Sequence, residues 1–353
     1  MNILIICNKS PFPPKEGGPI AMNAIIQGLV SAGHRVKVLG INTNKYHIPE
    51  DQIPVNYKKQ TDIELAYIDL SIKPVDAFLN LFTNKSYHVQ RFISKNFEER
   101  LKNILQSHTF DIIQFETLFI TPYLDMIRSL SDARIVLRAH NIEHLIWERI
   151  AGQTHNPLKR FYLKHLARTL KNYELSALDH FDGIATITQQ DKSFFEQHTQ
   201  IPVIDVALGV DLNKFPLPKD DFEFPSLFHI GSMNWIPNIE GIRWFLDHVW
   251  LDIHREFPKL KFYLAGREMP KWLYKAAYPN VVVIGEVDDA WEFMQSKAIM
   301  LVPLLSGSGI RIKIIEGMAL GKAVISTRIG AEGINCRHGS DILLADDPGE
   351  FRE

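Results

Sequence analysis

Cysteine is scarce: the 353 residues contain only Cys7 and Cys336, far apart and in no metal-binding or redox pattern. That usage suits a reducing compartment and makes the cytoplasm the expected location. Long apolar runs are missing as well. No stretch approaches the ~20 residues that cross a bilayer, and Ile3 to Cys7 is too short for a secretory signal core before Lys9 and a cluster of prolines. Charge is balanced, with 39 Lys and Arg against 41 Asp and Glu, so nothing pulls the whole chain toward nucleic acid. The dinucleotide string Gly-x-Gly-x-x-Gly follows neither Asn2 to Cys7 nor Leu227 to Ile230, which argues against a dehydrogenase. No repeat or low-complexity tract is present.

What the chain does contain is 46% hydrophobic residues, enough for two cores of ordinary size. Short apolar runs alternate with longer amphipathic ones, the pattern of a parallel α/β sheet. Strands are expected at Asn2 to Cys7, Arg35 to Leu39, Asp111 to Phe115, Arg134 to Ala139, Gly183 to Ile187 and Val203 to Ala207. Helices are expected at Ile20 to Ala32, Phe92 to Ser107 and Pro157 to Asp179. The polar, proline-bounded stretch 212–225 reads as a linker between an N-terminal domain 1–211 and a C-terminal domain 226–353. Two Rossmann-like domains facing a central cleft follow from this order. Residues 43–90 have weak periodicity and carry no assignment.

Near the C-terminal end, Pro303 to Gly321 runs from a glycine-rich loop into a helix whose first turn carries Arg311 and Lys313. Cations at a helix N-terminus oppose its dipole unless an anion sits among them. Gly307 and Gly309 would let the backbone approach such a ligand, and flanking strands at Ala298 to Pro303 and Ala323 to Thr327 put the loop at a sheet's C-terminal edge. The segment reads as a diphosphate cradle. Glu316 shares a face with Lys313 and would suit sugar or ribose hydroxyls; the alternative is an exposed Lys313–Glu316 ion pair beside a solvated Arg311. Both cations are expected at an exposed helix start, so that removing either weakens ligand binding with little loss of stability.

His140 ends the strand Arg134 to Ala139, at the edge where a ligand would lie. The string His140 to His144 also satisfies His-x-x-Glu-His, but with His140 ending a strand its two histidines are not expected one helical turn apart, so no zinc site is expected. Gly17-Gly18-Pro19 lies between the first strand and a helix and could turn its N–H groups toward a phosphate or an acceptor, or serve only as a turn. Lys159, Arg160, Lys164, Arg168 and Lys171 make the long helix basic. A solvated face explains them, as does peripheral contact with an anionic membrane.

Taken in order, Gly-Ser-Gly-x-Arg-x-Lys-x-x-Glu from Gly307 to Glu316, Gly231 to Asn238, Ala265-Gly266-Arg267, Gly285-Glu286-Val287, Gly209-Val210-Asp211 with Phe215, and Arg138-Ala139-His140-Asn141 with Glu143 resemble glycosyltransferase family 4 in a bacterial branch. The resemblance implies the GT-B fold and a retaining transfer of sugar from a UDP- or GDP-sugar to a glycan or lipid-linked acceptor, without cofactor or metal. It implies catalytic roles for His140, Arg311, Lys313 and Glu316. Substrate contacts would come from Gly17, Gly18, Asn141, Glu143, Ser232, Asn234, Arg267, Val287, Ser308, Gly309 and Ile310. Ser308 stands where the family usually has the first of two glutamates. The chain ends where family members continue with closing helices, just as Asp346-Asp347-Pro348 would start one; a shortened donor domain with slow turnover is therefore expected. A non-catalytic nucleotide-sugar binder and a sugar-nucleotide epimerase are the alternatives. The expected location is the cytoplasm, at the inner face of the membrane.

Overall fold

The computed structural model describes every residue except 15–16, 45–46, 208, 213–214, 218–220, 276 and 308. It divides into two compact units, Met1–Leu208 and Gly209–Glu353.

The first unit is built on β1 (Asn2–Cys7), β2 (Arg35–Thr43), β3 (Glu64–Ile68), β4 (Ile112–Glu116), β5 (Arg134–Ala139), β6 (Gly183–Thr186) and β7 (Val203–Asp205). All pair in parallel, in the order β3-β2-β1-β4-β5-β6-β7. β1 shows why its sequence is apolar throughout. Leu4 and Ile6 enter the core that holds Phe97 and Phe115, while Ile3, Ile5 and Cys7 enter the one that holds Met22 and Ile26. Side chains alternate across a strand, so a strand covered on both faces needs apolar residues at every position. Each buried Ile or Leu contributes about 1.5–3 kcal/mol.

The long helix runs Pro157–Ala177, opened by proline in its first turn and by the Asn156 side chain, which accepts from the Lys159 N–H at 3.0 Å. The helix expected from Phe92 begins at Lys95 instead. Ser94 is held extended, its N–H donating to the Tyr123 hydroxyl at 2.8 Å. Residues 43–90 hold the edge strand β3 and the short helices Val55–Thr61, Pro74–Asn80 and Tyr87–Gln90. None is long enough to give a readable period.

The second unit contains β8 (Glu223–Ile230), β9 (Lys261–Ala265), β10 (Val281–Gly285), β11 (Lys297–Val302), β12 (Ala323–Ser326) and β13 (Leu343–Leu344). The order is β10-β9-β8-β11-β12-β13, again parallel. β8 starts at Glu223, within the stretch 212–225 expected as linker, because Glu223 anchors it: its carboxylate accepts from Lys297, Lys261 and Tyr263. At residues 347–352 the chain forms turns rather than the expected helix. Phe351 is buried there against Trp244 and Phe245, ring centroids 5.6 and 5.7 Å away.

Candidate functional site

In the second unit the strand order reverses between β8 and β11. Neighbouring connections leave in opposite directions at such a point and open a crevice at the strands' C-terminal ends, where open α/β sheets take ligands. The loops after these two strands carry the residues expected to form the cradle. Gly266 presses against the loop after β8: with φ +135°, a Cβ there would lie 1.9 Å from the Gly231 carbonyl oxygen. Only glycine allows that approach.

Lys313 is not on an exposed helix start. It sits in the first turn of the helix Ile312–Ala319, and its ammonium donates to Asn238 Oδ1 at 3.0 Å and to the Ile230 carbonyl at 3.1 Å, with His229 Nε2 at 3.3 Å. His229 Nδ1 must carry a proton, because its partner at 2.8 Å is the Leu301 carbonyl. Nε2 is therefore the lone pair facing Lys313. Burial, then Lys313, hold His229 well below the usual imidazole range, and burial, then Arg311, bring Lys313 down to about 7. Burial and a neighbouring cation both disfavour the charged ammonium, and an adjacent negative charge would favour it. Asn238, in the first turn of the helix Ile236–Phe245, also donates to the Ser232 carbonyl at 2.8 Å, so the β8 loop, that helix and Lys313 form one unit.

Arg311 caps the helix from a buried position, stacked over Trp235 with Cζ 5.2 Å from the ring centroid and Nη1 donating to the Gly309 carbonyl. Gly307 and Gly309 have φ +111° and +80°, and a Cβ on Gly307 would lie 3.0 Å from both Arg311 and Trp235. Glu316 does not pair with Lys313. Its Oε1 accepts from Trp291 Nε1 at 3.2 Å, and burial raises its pKa against that bond. Trp291 is stacked on Phe215, centroids 4.4 Å apart.

Of the other expected contacts in this unit, Ser232 donates to Asn234 Oδ1 at 3.0 Å, and Asn234 donates to Glu268 at 3.0 Å. Arg267 pairs with Glu286 at 3.2 Å. Val287 packs on the cluster around Met294 and Leu320, Gly309 and Ile310 are half-buried, and Ser308 lies outside the described residues.

The first unit has its own reversal, between β1 and β4. Glu116 ends β4, completely buried, and its Oε2 lies 2.6 Å from His140 Nε2 and accepts from Arg138 Nη1 at 2.9 Å. Burial opposes ionisation of Glu116, but Arg138 and His140 outweigh it and hold the carboxyl at about 2. Arg138 also donates to the Ala21 carbonyl at 3.3 Å, tying this cluster to the helix Gly17–Ser31. Gly17 and Gly18 open that helix, and a Cβ on Gly18 would lie 2.9 Å from the Lys9 side chain. Lys9, Gly17, Gly18, Glu116 and His140 therefore share one end of the sheet.

Glu143 and Asn141 lie one step away. Glu174 caps the helix Glu143–Gln153, accepting from the N–H groups of Glu143 and His144 at 2.9 and 3.1 Å and binding His144 Nδ1 at 2.5 Å. Burial, then Glu174, push Glu143 up to about 8, against a long 3.5 Å bond from Asn141. Among the described residues no three His, Cys, Asp or Glu side chains gather as a metal site. A cavity of about 490 Å³ lies elsewhere in the unit, between the end of β3 and the helices Pro74–Asn80 and Tyr87–Gln90. No expected site residue lines it.

Residues 224–353 match the family described as Glycosyl transferases group 1. Sucrose-phosphate synthase from Thermosynechococcus elongatus superposes with a TM-score of 0.69 at 14% identity, covering 100% of this chain and 88% of that one. TarM from S. aureus gives 0.68 at 10% identity, covering 99% and 90%. The chain has the GT-B fold. Anabaena HepE, solved with UDP-glucose, gives 0.62 at 12% identity over 99% of this chain and 87% of that one. A Klebsiella pneumoniae sequence described as an uncharacterized 44.6 kDa protein in a cps region is 22% identical over 98% of this chain and 87% of its own length.

Sequence reasoning assigned no role to Glu116, Lys9, His229, Asn238 or Trp291, which the structure places against the candidate residues His140, Gly18, Lys313 and Glu316. A carboxylate closing an apolar strand was a usable signal for Glu116, since a charge at that position must find a partner or solvent. His229 gave none: flanked by Phe228 and Ile230, it reads as one more core position of β8.

Proposed function

We propose that the chain is a retaining, metal-independent glycosyltransferase that moves a sugar from a UDP- or GDP-sugar to a hydroxyl on a glycan or lipid-linked acceptor. The observation that carries this reading is the convergence of Arg311, Lys313 and the N-terminus of the helix Ile312–Ala319 at the β8/β11 reversal, beside the half-buried Glu316. Two cations next to a helix N-terminus suit a diphosphate, and a carboxylate beside them suits hydroxyls. The group 1 match over the same unit and the UDP-glucose held by Anabaena HepE support a nucleotide sugar. The cps-region relative supports a glycan acceptor.

In the reaction, the bond from the anomeric carbon to the diphosphate oxygen breaks while the acceptor oxygen bonds to that carbon on the same face. The acceptor proton passes to the departing phosphate oxygen. Arg311 and Lys313 stabilise the charge developing on the diphosphate, the part a metal ion plays elsewhere. Glu316 holds donor hydroxyls, and His140, fixed by Glu116, is the catalytic residue we assign in the first unit. A thermal-shift panel of nucleotide sugars, followed by transfer assays with and without EDTA, tests the proposal. A nucleotide-sugar response and EDTA-resistant transfer are expected; failure of every UDP- and GDP-sugar to bind overturns it.

A further inference from the structure

Six large apolar side chains stand in solvent on one side of the first unit. Ile72, Val75, Phe78, Phe82, Leu158 and Phe161 each expose between 60 and 81% of their surface. They come from two segments distant in sequence, the helix Pro74–Asn80 with its flanks and the start of the helix Pro157–Ala177. The fold joins these segments: His165 Nε2 lies 3.1 Å from the Asn80 carbonyl, and Ala77 packs on the cluster of Tyr87, Leu163 and Leu166. That cluster buries the inner faces only. Phe78 and Phe82 meet edge to face, centroids 5.6 Å apart, on the outside. Soluble monomers rarely leave contiguous apolar patches of more than a few hundred Å² uncovered.

Charge says what covers it. Residues 72–93 and 156–171 together hold eight Lys and Arg and one acidic residue, Asp76, whereas the whole chain is slightly acidic. Lys73, Lys85, Lys159, Arg160, Lys164 and Arg168 are exposed. Among the described residues none of the four on the long helix sits in an ion pair; Lys171, further along, reaches Glu148 only at 3.9 Å. Exposed aromatic and aliphatic tips rimmed by unneutralised cations match an anionic bilayer, whose acyl boundary takes the former and whose phosphates take the latter. A second copy of the chain would set the same cations against one another.

We infer that this face docks the protein on an anionic lipid surface, lying on the bilayer without crossing it. Among the described residues no helix is long and apolar enough to cross a membrane. The inference does not depend on the proposed transferase activity.

The test is flotation of the full chain with vesicles of phosphatidylcholine alone and with phosphatidylglycerol added at about one part in three. Binding only to the anionic vesicles is expected, weakened about fivefold by each of Lys159→Gln, Arg160→Gln and Lys164→Gln. Phe78→Ser with Phe82→Ser and Leu158→Ser should abolish it while leaving the melting temperature and nucleoside diphosphate binding unchanged. No recovery with anionic vesicles, or equal recovery with neutral ones, overturns the inference. So does a lipid-free dimer that the serine variant dissociates, which would assign the face to a second copy.

Discussion

The ammonium of Lys313 lies 3.0 Å from Oδ1 of Asn238, a residue 75 positions earlier, and with it the glycine-rich loop is tied to the loop after β8. This makes Lys313 part of the fold as well as of the proposed ligand site.

Lys313→Ala should therefore destabilise the protein, because Asn238 Oδ1, the Ile230 carbonyl and His229 Nε2 lose their shared donor. Stranded buried acceptors cost about 1–3 kcal/mol. Urea unfolding at neutral pH measures it; a loss within experimental error would mean that these contacts are not maintained in solution.

Nucleoside diphosphate affinity should fall as pH rises through about 7, where Lys313 loses its proton in the free protein. The anion needs the protonated form, so the loss approaches tenfold per pH unit until the higher pKa of the bound state is reached. Without ligand the sign is opposite. The folded pKa lies below the ordinary lysine value of 10.5, the unfolded chain holds more protons between them, and this group's contribution makes stability rise with pH across that window. UDP titrations of wild type and Lys313→Met check the first effect: the slope should vanish in the variant.

Glu116→Gln should cost roughly 3–5 kcal/mol, since it leaves Arg138 buried without its counter-charge. With a folded pKa of about 2 against an ordinary 4.5, the Glu116 contribution is complete above the unfolded value and disappears as pH falls through the folded one. The variant's melting temperature should lose that acid-side dependence. An unchanged melting curve would show that the Glu116–Arg138 pair is not formed.

Glu143→Gln should stabilise the protein at alkaline pH. The wild-type carboxyl, pushed up to about 8, favours folding fully below its unfolded pKa and loses that contribution as pH rises through the folded one, by up to about 1.4 kcal/mol per pH unit. Melting temperatures of both proteins between weakly acidic and alkaline pH should diverge in favour of the variant. Parallel curves would place Glu143 in a more solvated setting.

Gly266→Ala should cost several kcal/mol, on the order of 3 or more, because the added methyl meets backbone that cannot move aside. Reduced soluble expression and a lower melting temperature would register it, whereas wild-type behaviour would mean the loops after β8 and β9 are further apart.

Composition and periodicity determined the parallel α/β architecture, because β1 must be apolar on both faces and the long helix carries its own start signals in Asn156 and Pro157. The Gly307 to Glu316 string likewise marked a candidate anion site through local backbone and dipole physics. The 43–90 region was not legible, since β3 and its short neighbours owe their conformation to packing rather than to a repeating pattern. Tertiary structure alone decided the partners. His229 and Lys313 stand 84 residues apart, Glu116 and His140 24, and no local rule pairs them. Parallel strand order brings their ends together, and burial there removes the water that would otherwise solvate each charge, so that the protonation of His229, Lys313 and Glu116 depends on neighbours the linear sequence does not reveal.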